Sequence, residues 1–147
     1  MARFSTIGTM ALVADDTVLS LIAATTVRPK INAIVMSSSS APNDYSAHFH
    51  FQRFSADGTG TAKTPQKMDF DGAAAVATSK QAYSAEPTYT ANEILLNIAH
   101  NLRATVQWIA VPGYEFIVPA LAGDGIGQRC IAVSTQFTEE ATFFFEE

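Results

Sequence analysis

Apolar and polar residues alternate along much of this chain, and a period of two predicts short β-strands. The pattern is clearest in residues 45–52. There the apolar side chains Tyr45, Ala47, Phe49 and Phe51 share one face, and Ser46, His48, His50 and Gln52 share the other. Such a segment is typical of a strand that buries one face.

Residues 94–110 fit two different structures. Thr90 to Glu93 has the form of a helix capping box, which would start a helix with Ile94, Ile98 and Leu102 on one face. However, many apolar residues occupy even positions, and several polar residues occupy odd ones. The apolar residues are Ile94, Leu96, Ile98, Leu102, Ala104, Val106, Trp108 and Ala110, and the polar residues are Asn97, Asn101, Arg103, Thr105 and Gln107. We therefore predict two strands with a turn near Asn101.

The remaining segments complete a β-rich pattern. Further strands are predicted at residues 17–24, 31–36, 115–118, 127–134 and 141–145. Loops are predicted at residues 37–43 and 55–66, and a turn at residues 123–125. The Ala-rich segment 71–80 favours one short helix. The sequence thus predicts a single all-β domain, 1–147, which is an antiparallel β-sandwich or a jelly-roll-like barrel with at most one short helix near residues 71–80.

Composition narrows the class of function. Charged residues make up 16% of the 147 residues and the net charge is −5, whereas soluble domains average about 25% charged residues. Because the Lys and Arg residues are scattered, no positive groove is expected and direct nucleic-acid binding is disfavoured. The low charge fits faces that neighbouring subunits cover, and it equally fits a Thr/Ser-rich polar coat.

His48 and His50 are the first candidates for chemistry. They lie on one strand face, about 7 Å apart by strand rise, and could share a zinc or copper ion if His100, Asp69 or Asp71 supplied further ligands. The alternative is two partly exposed polar residues on the outer face of a strand. We favour the second interpretation because a His-x-His pattern alone is weak.

The other candidates have structural explanations. Cys130 lies in an apolar stretch and is interpreted as a buried, inert thiol. Asp69 to Gly72 resembles part of a calcium loop but lacks the remaining ligands, so a turn is favoured. Gly123 to Gly127 precedes a β pattern, so we interpret it as a hairpin turn and not a phosphate loop. We therefore predict no enzyme, with no catalytic, cofactor-binding or metal-binding residues.

Phe143, Phe144 and Phe145 form the most apolar strand segment. Such a strand places Phe143 and Phe145 on one face and Phe144 on the other. Two interpretations follow: a central sandwich strand covered on both faces, or a strand whose Phe144 contacts a partner subunit. The first is favoured.

A family resemblance extends over most of the chain. It is carried by Leu21 to Ile31, Glu86 to Leu96, Arg103 to Trp108, Val111-Pro112-Gly113, Val118-Pro119-Ala120, Gly125-Ile126-Gly127 and the closing Phe-Phe-Glu-Glu. Together these segments resemble structural proteins of tailed bacteriophage virions, in particular head decoration (capsid cement) proteins. The resemblance implies a virion protein on the capsid surface, made in the host bacterial cytoplasm. It also implies two partners, the major capsid protein and further copies of itself in a homotrimer.

Two alternatives stay open. The first is a phage tail or fibre module that binds a host surface glycan, which exposed aromatic residues and loop carboxylates would favour. The second is a metal enzyme built around His48 and His50, for which further ligands are missing. No secretory leader is predicted, since Asp15 and Asp16 interrupt the early apolar residues. No membrane-spanning segment is predicted, because the apolar run from Leu19 to Ala24 is too short to cross a bilayer.

Overall fold

The computed structural model of the protein describes residues 1–40 and 43–147. Within these residues the chain forms twelve β-strands and no helix. The strands are β1 (Arg3–Ala11), β2 (Thr17–Ile22), β3 (Lys30–Ser40), β4 (Ser46–Ala56), β5 (Thr59–Lys63), β6 (Gln66–Lys67), β7 (Thr78–Ala85), β8 (Thr88–Asn101), β9 (Val106–Ile109), β10 (Phe116–Ile117), β11 (Gly125–Val133) and β12 (Thr138–Glu146).

The strands form two antiparallel six-stranded sheets that pack face to face. Sheet A has the order β10-β3-β12-β1-β6, with β9 also paired to β3. Sheet B has the order β5-β7-β2-β11-β4-β8. The predicted all-β sandwich is thus confirmed.

The core lies between the sheets and is built from the inward face of each strand. Phe143 and Phe145 of sheet A are buried, and the ring of Phe143 lies 6.0 Å from that of Phe51 in sheet B. Within sheet A, the ring of Phe145 of β12 stacks on Phe4 of β1 at 5.3 Å. Each fully buried Phe stabilises the fold by about 1.5–3 kcal/mol, so the contact of Phe143 with Phe51 helps to hold the two sheets together.

Most predicted strands are confirmed. Ala47, Phe49 and Phe51 are buried as the alternation predicted, although Tyr45 is exposed. Segment 94–110 forms β8 and β9 with a turn after Asn101, and no helix. The alternation of apolar residues therefore predicted the structure of this segment correctly, and the capping-box pattern did not. Both strands lie at sheet edges and turn one face to the core, which is the arrangement that produces such alternation.

The prediction of a short helix at residues 71–80 is wrong. Residues 71–77 form turns and irregular structure, and residues 78–80 begin β7. Segment 71–80 lacks an apolar stripe with helical spacing, so Ala propensity alone did not decide its structure. Instead, the N–H groups of Val76 and Ala77 donate hydrogen bonds to the carboxylate of Glu147, and Ser79 pairs with Leu21 of β2.

Two predicted loops are also corrected. Residues 59–63 form β5, an edge strand of sheet B, within the segment predicted as a loop at 55–66. Residues 37–40 extend β3, whereas residues 41–42 of the other predicted loop lie outside the described residues. Strand β1 was not predicted at all, because its inward positions Phe4, Thr6 and Gly8 are too mixed to show alternation.

Candidate interaction surface

The outer face of sheet A carries two neighbouring rows of uncharged side chains. Strand register places Ile109, Ala33, Phe144 and Ser5 in one row, and Gln107, Val35, Thr142 and Ile7 in the next. Ile7 is 49% exposed and Ile109 is 64% exposed, whereas Phe144 is half-buried. We call these eight residues the neutral face.

Charged residues lie at the two ends of this face, and Lys63 lies beside Ile7 at its β1 side. The row Lys30, Glu146 and Arg3 lies beyond Phe144, and Glu140 lies beyond Thr142. Since the middle of the face has no charge to desolvate, a partner could cover it at low electrostatic cost.

Phe144 belongs to a central strand, as one interpretation predicted, because β12 lies between β3 and β1. Its coverage, however, differs from that of its neighbours. Phe143 and Phe145 are buried in the core, while Phe144 borders a shallow groove of about 280 Å³ together with Arg3, Asn32 and Met68. Strand β12 is therefore fully covered on one face only, within the described residues.

The outer face of sheet B is different, because the chain covers it with its own polar side chains. The hydroxyl of buried Tyr83 lies 2.5 Å from Ser20 Oγ and 3.0 Å from Asp57 Oδ1. Lys80 Nζ donates to Asp57 Oδ2 at 2.5 Å. Burial raises the pKa of Tyr83 far above its ordinary value, so the phenol stays protonated.

Tyr89 covers the next part of sheet B. Its hydroxyl lies 2.7 Å from Thr17 Oγ1, which also donates to the carboxylate of Glu86. The guanidinium of Arg129 lies 5.2 Å from the centre of the Tyr89 ring, a cation–π contact. Gly127 lies beneath the phenol, and a Cβ there would collide with the Tyr89 hydroxyl.

His48 and His50 lie on the outer face of β4 and are partly exposed, as the favoured interpretation predicted. Their rings are 5.0 Å apart, edge to face, and His48 Nε2 bonds Asn97. Burial, followed by the charges of His48 and Arg129, lowers the pKa of His50.

The structure does not bring the suggested metal ligands together. His100 is paired with inward-facing Ala47 and points into the core, on the other side of sheet B from His48. Asp69 and Asp71 lie in the β6–β7 loop. Residues 1–40 and 43–147 contain no group of three or more His, Cys, Asp or Glu side chains placed to hold a metal ion.

Two of the other sequence candidates, Cys130 and Asp69, have the structural roles expected of them. Cys130 is buried and free, and burial raises the pKa of its thiol to about 12. Asp69 closes a turn by accepting the Gly72 N–H at 3.1 Å. The hairpin turn predicted at residues 123–127 is wrong, because Gly125 and Gly127 belong to strand β11 of sheet B and the preceding strand β10 lies in sheet A.

Sequence reasoning missed a buried polar group between the sheets. Glu139 of β12 is buried, and its Oε1 lies 3.6 Å from His100 Nε2 and 3.2 Å from Gln128 Nε2. His100 Nε2, Gln128 Oε1 and Glu139 Oε2 have no hydrogen-bond partner among the described residues. Glu139 has the same parity as Phe143 and Phe145, so strand alternation predicts that it faces inward.

A polar groove of about 410 Å³ lies where β4 and β11 approach the 118–124 loop. Arg53 is central to it, with Nη1 3.9 Å from Glu93 and Nη2 donating to the Ile117 carbonyl at 3.3 Å. Asp124 and Pro119 also line it. The groove therefore combines a guanidinium, two carboxylates and an apolar ring.

The fold and these surfaces define an antiparallel β-sandwich with one self-covered face and one neutral face. No protein-family model, no curated protein and no solved structure matches this chain. The helix-free described region offers no helical segment that could cross a membrane.

Proposed function

We propose that this protein is a non-enzymatic structural protein that attaches to a larger assembly through the neutral face of sheet A. The observation that carries the proposal is the difference between the two outer faces. Tyr83, Tyr89 and their polar partners cover sheet B, whereas the rows containing Ile7 and Phe144 carry no charge and remain accessible. Exposed apolar area of this kind marks an interaction site.

The assembly proposed is the head of a tailed bacteriophage, with the protein as a capsid decoration or cement protein. The family resemblance of the sequence supports this choice, and the low charged fraction of 16% is in keeping with it. The partner is then the major capsid protein, and the copies on the shell are trimers, as the resemblance implies. The protein would be made in the host bacterial cytoplasm and reside on the capsid surface.

The neutral face would form the centre of such a contact. Four strands at about 4.8 Å spacing and two rows about 7 Å apart give it roughly 270 Å² in plan. Standard interfaces bury about 800 Å² per partner, so the surface around the neutral face would form the rim. A protein that binds the assembled shell and not its dissociated subunits stabilises the shell by mass action, by about 2.7 kcal/mol per site at a hundredfold excess over Kd.

Thermal DNA release from phage particles tests the proposal. Particles stripped of the protein are expected to release DNA at a lower temperature, and recoating should restore the original temperature. Because the neutral face has few ion pairs to screen, the restoration should depend only mildly on salt. Equal release temperatures for stripped and recoated particles would refute the cement function.

A matched pair of variants tests the face itself. Ile7→Glu places a charge in the neutral face and should abolish recoating, since the carboxylate would be desolvated. Leu121→Glu makes the same kind of change at a loop residue that is 58% exposed and lies off this face. Its recoating should equal that of the original protein, and equal binding by both variants would exclude the neutral face.

The Arg53 groove favours a second candidate function, the tail or fibre module. A guanidinium close to the carboxylate of Glu93, in a groove that Asp124 and Pro119 also line, offers donors, acceptors and an apolar surface to a polyhydroxylated ligand such as a glycan. Electron microscopy of labelled particles decides between the two locations, because the module would lie on tails and the cement protein on heads.

A further inference from the structure

The ladder between β4 and the edge strand β8 contains a large bulge at the Arg53 groove. Pairing of β8 with β4 is interrupted between Ile94 and Tyr89, so residues 90–93 all lie opposite Arg53 alone. An antiparallel ladder of this length would otherwise place one residue there. Bulges are frequent at sheet edges and beside functional sites, where they redirect side chains.

The bulge has an unusual backbone that is fixed by a hydrogen bond. Asn92 has φ 63°, in the left-handed region that residues other than glycine rarely adopt. Nε2 of Gln52 donates to the carbonyl oxygen of Thr90 at 2.8 Å. As a result, Thr90 and Glu93 line the groove together with Arg53. Backbone of this kind persists where the surrounding structure requires it, and it is concentrated at binding sites.

Arg53 brings a guanidinium to this groove with most of its five N–H donors unused. Its Nη2 donates to the Ile117 carbonyl at 3.3 Å, and its buried Nε has no hydrogen-bond partner among the described residues. Nη1 lies 3.9 Å from the carboxylate of Glu93, which is too far for a hydrogen bond. Both side chains are partly exposed. A donor and an acceptor therefore face each other across a gap that a ligand can enter.

This gap selects the chemistry of the group that fills it. A hydroxyl can accept a hydrogen bond from Arg53 and donate one to Glu93 at the same time, because it has both a hydrogen and lone pairs. A carboxylate has no hydrogen to donate to Glu93, and an ammonium has no lone pair for Arg53. Pro119 also lines the groove and offers an apolar surface to the C–H groups of a sugar ring.

The charge of the groove distinguishes neutral sugars from acidic ones. Its lining carries one cation, Arg53, and two carboxylates, those of Glu93 and Asp124. A sugar acid would bring a third carboxylate into a groove that already has an excess of negative charge, so its binding is opposed by repulsion. A neutral sugar adds no charge and avoids this cost.

We propose that the Arg53 groove binds a neutral saccharide, with one sugar hydroxyl bridging Nη1 of Arg53 and the carboxylate of Glu93. The groove volume of about 410 Å³ lies within the roughly 300–1,000 Å³ of small-molecule sites. The inference rests on the glycan-binding function proposed above for this groove, and it adds the class of sugar and the residues that select it. It applies to a protein on phage heads as well as to one on tails.

Titration followed by amide NMR spectra tests the ligand class with the full chain. Methyl glucoside and methyl glucuronide are matched probes, because they differ only in a hydroxymethyl group or a carboxylate on the same ring carbon. The glucoside should shift the backbone N–H signals of Thr90 and Gly125 and the Nε–H signal of Arg53. The glucuronide should bind roughly tenfold more weakly at low salt. Tighter binding of the glucuronide would overturn the inference and indicate a site for acidic glycans.

A double variant tests the two carboxylates. Glu93→Gln combined with Asp124→Asn removes both negative charges, so the glucuronide should bind roughly tenfold more tightly than to the original protein. The glucoside should bind more weakly, since its hydroxyl loses a charged acceptor. Asp44→Asn combined with Asp71→Asn makes the same change in net charge at exposed residues away from the groove and should leave both Kd values unchanged. Equal Kd values for the two double variants would contradict the assigned groove.

The results also separate this inference from the proposed functions. If neither probe binds, the inference and the tail-module function fail together, whereas the cement function is decided by the DNA-release test alone. If the glucoside binds and labelled particles carry the protein on heads, the inference stands and the tail location is wrong. If the glucuronide is preferred, the groove still binds glycans and only the neutral-sugar inference is wrong.

Discussion

Oε1 of Glu139 lies 3.6 Å from Nε2 of His100, and the two side chains, 0% and 2% exposed, join the sheets inside the core. His100 Nδ1 lies 3.1 Å from the carbonyl oxygen of Asn101, which only accepts, so Nδ1 carries a hydrogen. A neutral His100 would then present a lone pair on Nε2 to a carboxylate oxygen. The pair avoids this repulsion only by keeping one further proton, either on Nε2 or on Glu139.

Stability should therefore fall as the pH rises. Burial raises the pKa of Glu139 above its ordinary 4.5. For His100, burial alone would lower the pKa, but the adjacent carboxylate of Glu139 raises it above 6.5. The folded state thus binds more protons than the unfolded chain from about pH 4.5 upward, and stability is lost until both folded pKa values are passed.

Urea unfolding from pH 4.5 to 9 measures this effect. Glu139→Gln removes the titrating carboxyl with little change in shape, so its free energy of unfolding should decline less over this range than that of the original protein. Taking the difference between the two proteins cancels the contributions of other groups, such as His50. Parallel pH profiles would show that the pair holds no additional proton.

The three histidines should respond very differently to removal. His100→Ala leaves the Glu139 carboxyl buried without its partner and should cost about 3–5 kcal/mol of stability. The double variant His48→Ala, His50→Ala removes partly exposed side chains from the outer face of β4 and should stay within about 1 kcal/mol of the original. Chemical denaturation of both variants and the original protein measures these differences in the free energy of unfolding.

The same double variant tests the metal interpretation. We expect elemental analysis of the purified protein to find no stoichiometric zinc. Zinc at one equivalent that disappears in the double variant would show that His48 and His50 bind metal after all.

Strand alternation predicted most of the fold, because burial on one face leaves a local pattern. It predicted β4, β8, β9 and β12, where large apolar side chains face the core. It could not predict β1, whose inward Gly8 is required by the close approach of Leu19 Cβ across the sandwich. A contact between two sheets produces no pattern in the local spacing of residues, so the sequence around β1 could not predict it.

The candidate surfaces were predictable only in part. Phe144 was recognised as a possible contact residue, but the neutral face needs the register of β1, β3, β9 and β12, which local sequence does not provide. The pair of Glu139 and His100 depends on two strands in different sheets, so no spacing in the sequence identifies it. The edge position of β8 likewise follows from strand order alone.

Cys130 should be unreactive in the folded protein. Its thiol is buried, and burial together with nearby carboxylates raises its pKa to about 12, so little thiolate exists at neutral pH. A thiol reagent such as Ellman's reagent should label one cysteine per chain only after unfolding in denaturant. Rapid labelling of the native protein would show that strands β11 and β2 separate easily near Asp16.

Gly127 should be essential because Tyr89 crosses the sheet directly above it. A Cβ at residue 127 would collide with the Tyr89 hydroxyl, so Gly127→Ala should displace the phenol from Thr17 and cost about 1–3 kcal/mol. Tyr89→Phe alone loses one hydrogen bond, worth about 0.5–1.5 kcal/mol. When Tyr89→Phe is already present the collision is relieved, so Gly127→Ala should be less destabilising there, with a coupling of about 0.5–3 kcal/mol between the two substitutions.

Gly113→Ala is the matched control. Gly113 has φ +92° and no atom within 4 Å of an added Cβ, so the cost of Gly113→Ala is purely conformational and should be the same with or without Tyr89→Phe. If Gly127→Ala were equally costly in both backgrounds, glycine would be needed at residue 127 for the backbone of β11 and not because of the Tyr89 hydroxyl.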